Sequence, residues 1–265
     1  MFITGLTASV LMGVVLGLMG GGGSILTVPI MVYLFGVPPA TATGYSLFVV
    51  GITALIGSLA YIRKGDVDFK TGFAFAVPSF VGVYFSRALL VPNVPQTLLS
   101  LNSWSLTKDV FIMSTFALLM LAASYSMIKG RKSRARALPS AGKRFQLIAT
   151  QGLIVGILAG FVGAGGGFLI IPALVAVAGL EMRVAVGTSL MIIAFQSLLG
   201  FTGDLRHGAV IDCGFLLSVA AVAAVGIAIG STLSRQIKEQ GLKTAFGWFV
   251  LFMGTIILFE QLRHV

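Results

Sequence analysis

Residues 20–29 read Gly20-Gly21-Gly22-Gly23-Ser24-Ile25-Leu26-Thr27-Val28-Pro29, and residues 163–172 read Gly163-Ala164-Gly165-Gly166-Gly167-Phe168-Leu169-Ile170-Ile171-Pro172. The two prolines are 143 residues apart (172 − 29), and much else coincides at that spacing without a gap. Upstream, Gly13 and Gly17 meet Gly156 and Gly160. Downstream, Ala42, Gly44, Ser46 and Leu47 meet Ala185, Gly187, Ser189 and Leu190, and Gly57 meets Gly200. Arg63 and Gly65 meet Arg206 and Gly208. Apolar composition alone aligns leucines and alanines. It does not align this many glycines with a proline, a serine and an arginine, so the chain is a duplication.

Each glycine block stands between a long apolar run and a short one. Long runs occupy about 2–19, 40–62, 69–91, 108–128, 145–162, 184–203, 211–234 and 243–262, and roughly 20 apolar residues cross a bilayer's hydrocarbon core. The short pieces, about 24–35 and 168–178, each follow glycines and contain a proline. Short, interrupted segments at matching positions are how the broken helices of transporters read. Composition agrees: 57% of the 265 residues are hydrophobic and 10% charged, against roughly 25% charged in soluble domains. The mean hydropathy is +1.02. The expected fold class is an all-α polytopic membrane protein built of two repeats. Each repeat has long transmembrane helices plus a short glycine-broken helix pair, either crossing or re-entrant.

The net charge of +10 raises nucleic-acid binding as a function, but the placement of the charges opposes it. Lys129, Arg131, Lys132, Arg134, Arg136, Lys143 and Arg144 fall in one polar stretch between apolar runs, the pattern of a cytoplasmic loop. That stretch, 129–144, divides a first repeat (1–128) from a second (145–265). With the linker inside, the nearly uncharged 92–107 loop is outside and the Arg63/Lys64 turn inside. The loop matching 92–107 in the second repeat, about 235–243, carries Arg235, Lys238 and Lys243 and also reads as inside. Equivalent loops then lie on opposite faces, which is an inverted-topology repeat. The turn with Arg206 and His207 runs against this pattern, and the linker outweighs it. Met1-Phe2-Ile3 offers no basic n-region, so the first run is expected to be a retained helix. The expected location is the cell (inner) membrane.

Little here points to catalysis. No Ser/His or paired-acid site is placed at depth, no metal-ligand spacing exists, and no cofactor is expected. Cys213 reads as a small buried packing residue, Arg87 as a side chain snorkelling to the interface, and Trp104 as an interfacial anchor. The expected chemistry lies in the glycine blocks. A break there exposes the backbone N–H groups and the positive dipole end of a short helix, which suits an oxyanion. The candidate substrate site is therefore Gly20, Gly21, Gly22, Gly23 and Ser24 facing Gly163, Gly165, Gly166 and Gly167. Ser46, Thr188, Ser189 and Gln196 are nearby polar groups on the following long helices. Close helix packing is the alternative role for the glycines, and backbone or interhelical hydrogen bonding is the alternative for the polar groups.

The two glycine-to-proline blocks are each followed by a Gly-X-Ser-Leu block, Gly44-Tyr45-Ser46-Leu47 and Gly187-Thr188-Ser189-Leu190. This duplicated pair of motifs resembles the sulfite exporter TauE/SafE family of membrane permeases, over nearly the whole chain. Pro38-Pro39 stands where the second half has Glu181-Met182, so the halves are not equivalent at that turn. The resemblance implies a secondary transporter, foremost an exporter, of small anions such as sulfite or organosulfonates, or an uptake permease or channel for small carboxylates. Its partners would be the anion and the lipid bilayer. A membrane enzyme and a scaffold subunit are the rival classes. No ionisable group lies deep in the expected spans, which favours uniport driven by the membrane potential.

Overall fold

The computed structural model describes residues 2–101, 104–129, 141–163, 165–176, 178–205, 212–234 and 239–263. The first half contributes α1 (Phe2–Met19), α2 (Gly22–Leu34), α3 (Pro39–Ile62), α4 (Phe69–Asn93) and α5 (Lys108–Ile128). The second contributes α6 (Ala141–Val162), α7 (Gly167–Ala176), α8 (Met182–Leu205), α9 (Cys213–Leu233) and α10 (Glu239–Arg263). Among the described residues, seven helices (α1, α3, α4, α5, α6, α8 and α9) are long and apolar enough to cross a membrane. The chain is an all-α polytopic membrane protein. Its loop between α4 and α5 adds a feature the sequence reading did not anticipate. An antiparallel hairpin of β1 (Thr97–Leu101) and β2 (Trp104–Thr107) pairs Leu101 with Trp104 and Thr97 with Thr107.

Two of the long helices begin at carboxylate caps. Asp68 Oδ1 accepts the Thr71 N–H at 3.1 Å at the start of α4, and Asp212 Oδ1 accepts the Phe215 N–H at 2.9 Å at the start of α9. These carboxylates satisfy backbone donors that the first turn leaves without partners.

Helix α2 passes from 3₁₀ through α to wide π-type turns. At about 1.5 Å per residue it is roughly 20 Å long, and α7 roughly 15 Å, so neither spans a core of about 30 Å. Both fold back on the helix before them. A Cβ at Gly23 would strike the Leu16 backbone, and one at Gly5, near the start of α1, would strike the Phe35 ring just past the end of α2. Likewise a Cβ at Gly166 would lie 2.7 Å from Ala159 Cβ on α6. Helices α1 and α2 therefore form one folded-back hairpin, and α6 and α7 a second.

The packing partners are exchanged between halves. Helix α1 lies on α9, α6 lies on α4, α5 pairs with α10, and α3 packs on both α8 and α9. Directions follow from the registers. Gly13 and Gly17 meet Ala223 and Ile227, so α1 and α9 are parallel, and Gly152 and Gly156 meet Phe75 and Ser79, so α6 and α4 are parallel. Gly44 and Gly51 meet Asp204 and Leu198, so α3 and α8, which match in sequence, run antiparallel. The glycines at these crossings leave backbone against backbone, the small-residue packing by which membrane helices associate without a hydrophobic drive between them. The outer faces are apolar: Phe73, Val77, Val81 and Phe85 form an exposed i, i+4 stripe on α4, as a lipid-facing surface requires.

Two single-residue expectations are overturned. Arg87 does not snorkel. It is 1% exposed and paired with Asp204 through Nη1 at 3.4 Å, because α4 turns that position toward α8 rather than toward lipid. Cys213 is exposed rather than packed, being in the first turn of α9 beside its cap. The linker residues 130–140, Ala164, the turn with Arg206 and His207, Gly208, and Arg235 and Lys238 lie outside the described residues. So do the side chains of Lys143, Arg144, Trp104 and Lys243. Residues 141–144 of the linker stretch already belong to α6.

Candidate glycine junction between the two hairpins

The tips of the two hairpins meet. Gly21 and Gly167 touch backbone to backbone, and a Cβ on either would overlap the other. Each turn is made by a glycine with positive φ, Gly20 at +70° and its equivalent Gly163 at +74°. That is a conformation L side chains rarely adopt. The space is also denied, since Gly20 faces Ser189 Oγ and Val186, while Gly163 lies against the Thr43 backbone. Val186 and Thr43 are themselves equivalent at the 143 spacing (186 − 43). Beyond the turns, a Cβ at Gly165 would lie 2.9 Å from Val50 Cγ1 and 3.3 Å from Ile193 Cγ2. Both residues sit near mid-length of α3 and α8, so the junction is at the centre of the molecule.

The polar groups around it are fully buried: Ser24, Ser46, Ser189, Gln196 and Ser197 are all 0% exposed. The broken backbone takes most of them. Ser46 Oγ donates to the Gly163 carbonyl, Gln196 Nε2 donates to the Gly165 carbonyl, and Ser24 Oγ donates to the Gly21 carbonyl at 2.7 Å. Gln196 Oε1 in turn accepts the Ser79 hydroxyl at 2.5 Å. Ser189 Oγ donates to its own helix, at the Val186 carbonyl, 2.8 Å away. A helix interrupted in a low-dielectric interior leaves carbonyls that something must satisfy, and Ser46 and Gln196 do so across the helix boundary.

Ser197 differs from the others. Its Oγ has no hydrogen-bond partner among the described residues and would lie 3.1 Å from a Cβ at Gly165. An unpartnered hydroxyl at a backbone break is available to a ligand.

The structure thus draws Gly20, Gly21, Gly22, Gly23, Ser24, Ser46, Gly163, Gly165, Gly166, Gly167, Ser189 and Gln196 into one buried region. Thr188 is not part of it. Its hydroxyl accepts the Asp68 N–H at 2.9 Å and braces the turn before α4. Sequence reasoning missed Ser79 and Ser197. Ser197 follows Gln196 directly in an apolar run, which is a readable signal, while the approach of Ser79 depends on the α4–α8 packing.

It also missed the buried pair at one end of the bundle. Arg87 and Asp204 line a cavity of about 230 Å³ with Tyr45, Lys108 and the first turn of α3. The packing identifies what lies at the matching place in the other half. Gly82 meets Leu153 as Gly226 meets Val10, so α4 and α9 correspond at a spacing of 144 (226 − 82). Arg87 then matches Ser231, and Asp204 matches Tyr61. Among the described residues, the charged pair belongs to one end only.

A family model described as "Sulfite exporter TauE/SafE" matches residues 5–257. The chain is 28% identical to a "Probable membrane transporter protein" of Xylella fastidiosa, over 95% of this chain and 92% of the relative. It is 28% identical to the "Probable membrane transporter protein YunE" of Bacillus subtilis, over 98% of each chain. A "Probable membrane transporter protein" of Methanocaldococcus jannaschii is 26% identical over 90% of this chain and 88% of its own length. No solved structure matches.

Proposed function

The chain belongs to the sulfite exporter TauE/SafE family, and on that premise we propose that this membrane transporter is a secondary carrier of small oxyanions, with sulfite or a short organosulfonate as substrate and export as its direction. The observation that carries the reading is the meeting of the two hairpin tips, with the unpartnered Ser197 hydroxyl beside them. Hairpins from antiparallel halves that touch at mid-depth form a thin barrier, which a small rocking motion opens to either side. Backbone N–H groups at the starts of α2 and α7 supply anion-seeking donors without a fixed cation at the centre. A fixed cation there would hold an anion too firmly for turnover.

In this reading the repeats are inverted across the cell (inner) membrane. Residues 1–128 and 145–265 are the two repeats, with the 129–144 linker in the cytoplasm. The working partners are the anion and the bilayer, with no nucleic acid, metal or cofactor. An anion leaving a cell with a negative interior gains about 2.3 kcal/mol per charge per 100 mV, so export needs no coupled ion.

The test is sulfite flux into proteoliposomes under an imposed potential, comparing wild type with Ser197→Ala. Removal of a hydroxyl that has no partner among the described residues is expected to leave the melting temperature unchanged. If that hydroxyl bonds the anion, the half-saturating sulfite concentration rises about tenfold or more. Unaltered sulfite kinetics in Ser197→Ala would remove Ser197 from the site, and the absence of flux for any small anion would refute the carrier.

A further inference from the structure

The cavity at the Arg87 end is chemically distinct from the glycine junction. Arg87 is 1% exposed. Its Nη1 holds Asp204, whereas its Nε and Nη2 have no partner among the described residues. Nε–H and one Nη2–H point the same way, along the side edge of the guanidinium plane. That edge presents two parallel donors at the spacing of two oxygens on one carbon or sulfur. A fixed cation with its side edge unmade is a poor device for stability, because burial leaves the donors unsatisfied. It is a good device for gripping an oxyanion.

The surroundings agree. Lys108 lines the same cavity, and so do Ala40 and Thr41 in the first turn of α3, where the helix dipole is positive. Two carboxylates moderate the charge. Asp204 is on the guanidinium, and Asp109 Oδ1 accepts the Ala40 N–H at 3.3 Å. Val91 and Pro92, where α4 ends before the β-hairpin loop, also line the cavity. That is the end of the bundle away from the linker.

We propose that this cavity is a second oxyanion-binding site, a vestibule subsite at one mouth only, in which the side edge of Arg87 takes two oxygens of a sulfonate, sulfite or carboxylate head while Asp204 fixes the guanidinium. The donor edge is closed off in the present conformation, so loading requires the walls of the cavity to part. Among the described residues, the corresponding positions at the other mouth are Ser231 and Tyr61, and the cation beside Ser231 is Lys64, whose Nζ donates to the Ser231 carbonyl at 3.0 Å, a point charge without the fork. Anions are therefore held more firmly on one side of the membrane than on the other. The inference deepens the carrier reading and rests on it for its role, but not for its chemistry.

The experiment is equilibrium binding of radiolabelled methanesulfonate to the purified full chain in detergent, with acetate and chloride as competitors, alongside flux of the same anion in proteoliposomes. Arg87→Lys keeps the charge and removes the fork. It is expected to weaken methanesulfonate and acetate binding about tenfold or more, while chloride, which needs no fork, competes as before. Arg87→Gln/Asp204→Asn removes both charges together, leaves neither uncompensated, and is expected to abolish the fork-dependent binding. Wild-type affinity in either variant overturns the subsite. If Arg87-dependent binding persists in a wild-type protein that moves no anion, the subsite stands and the carrier reading falls. If flux is normal and binding does not depend on Arg87, the carrier stands and the subsite falls.

Discussion

At the scale of single residues, the buried polar groups sort by what they bond. Gln196 holds the Gly165 carbonyl and accepts from Ser79. Gln196→Leu strips a donor and an acceptor from two buried partners at once and is expected to cost about 2 kcal/mol. The loss would be read as a fall in melting temperature in detergent. Ser46→Ala orphans only the Gly163 carbonyl and should cost about 1 kcal/mol. The need for a partner was legible for Gln196, since an amide in an apolar run cannot go unsatisfied, but the identity of that partner was not. Arg87 was misread for the same reason. A lone arginine near a helix end reads as reaching for water, and its counter-charge lies 117 residues away on another helix.

At the scale of helices, the repeat spacing marked glycines of two kinds that the sequence could not separate. Gly20 and Gly163 make the turns, while Gly13, Gly17, Gly156 and Gly160 let neighbouring backbones approach. A side chain of the second kind has nowhere to go. Gly156→Leu would overlap the Ser79 carbonyl, so that α6 and α4 must separate. The expected outcome is aggregated protein in size-exclusion chromatography. Ile154→Ala is the control on the same helix: Ile154 is 57% exposed to the lipid side, and its truncation should leave the chromatogram unchanged. Helix positions were readable to within a few residues, because hydrocarbon thickness imposes the length of a span. The β-hairpin was not foreseen, because its two short strands lie outside that constraint. The folding back of α2 and α7 was left open, since length excluded a comfortable crossing without saying where the chain went instead.

At the scale of the whole molecule, the orientation can be tested on the chain's single cysteine. Cys213 is exposed at the start of α9, and Tyr45 on α3 accepts the neighbouring Asp212 N–H at 3.1 Å. Both mark the end of the bundle away from the linker. With the linker in the cytoplasm, a membrane-impermeant maleimide should label Cys213 from outside intact cells. With Cys213→Ser and Ser133→Cys combined, labelling should appear only in inverted vesicles. The opposite pattern would reverse the orientation and with it the side of the membrane at which the Arg87 cavity lies. The exchange of helices between halves bears on how the protein is made. Hairpin α1–α2 rests on α9, which the ribosome delivers some two hundred residues later. The early hairpin must therefore wait in the insertion machinery or beside it, incompletely packed, until synthesis is nearly finished. A fragment ending at residue 128 should be degraded when expressed alone, and should be rescued by co-expression of the remainder.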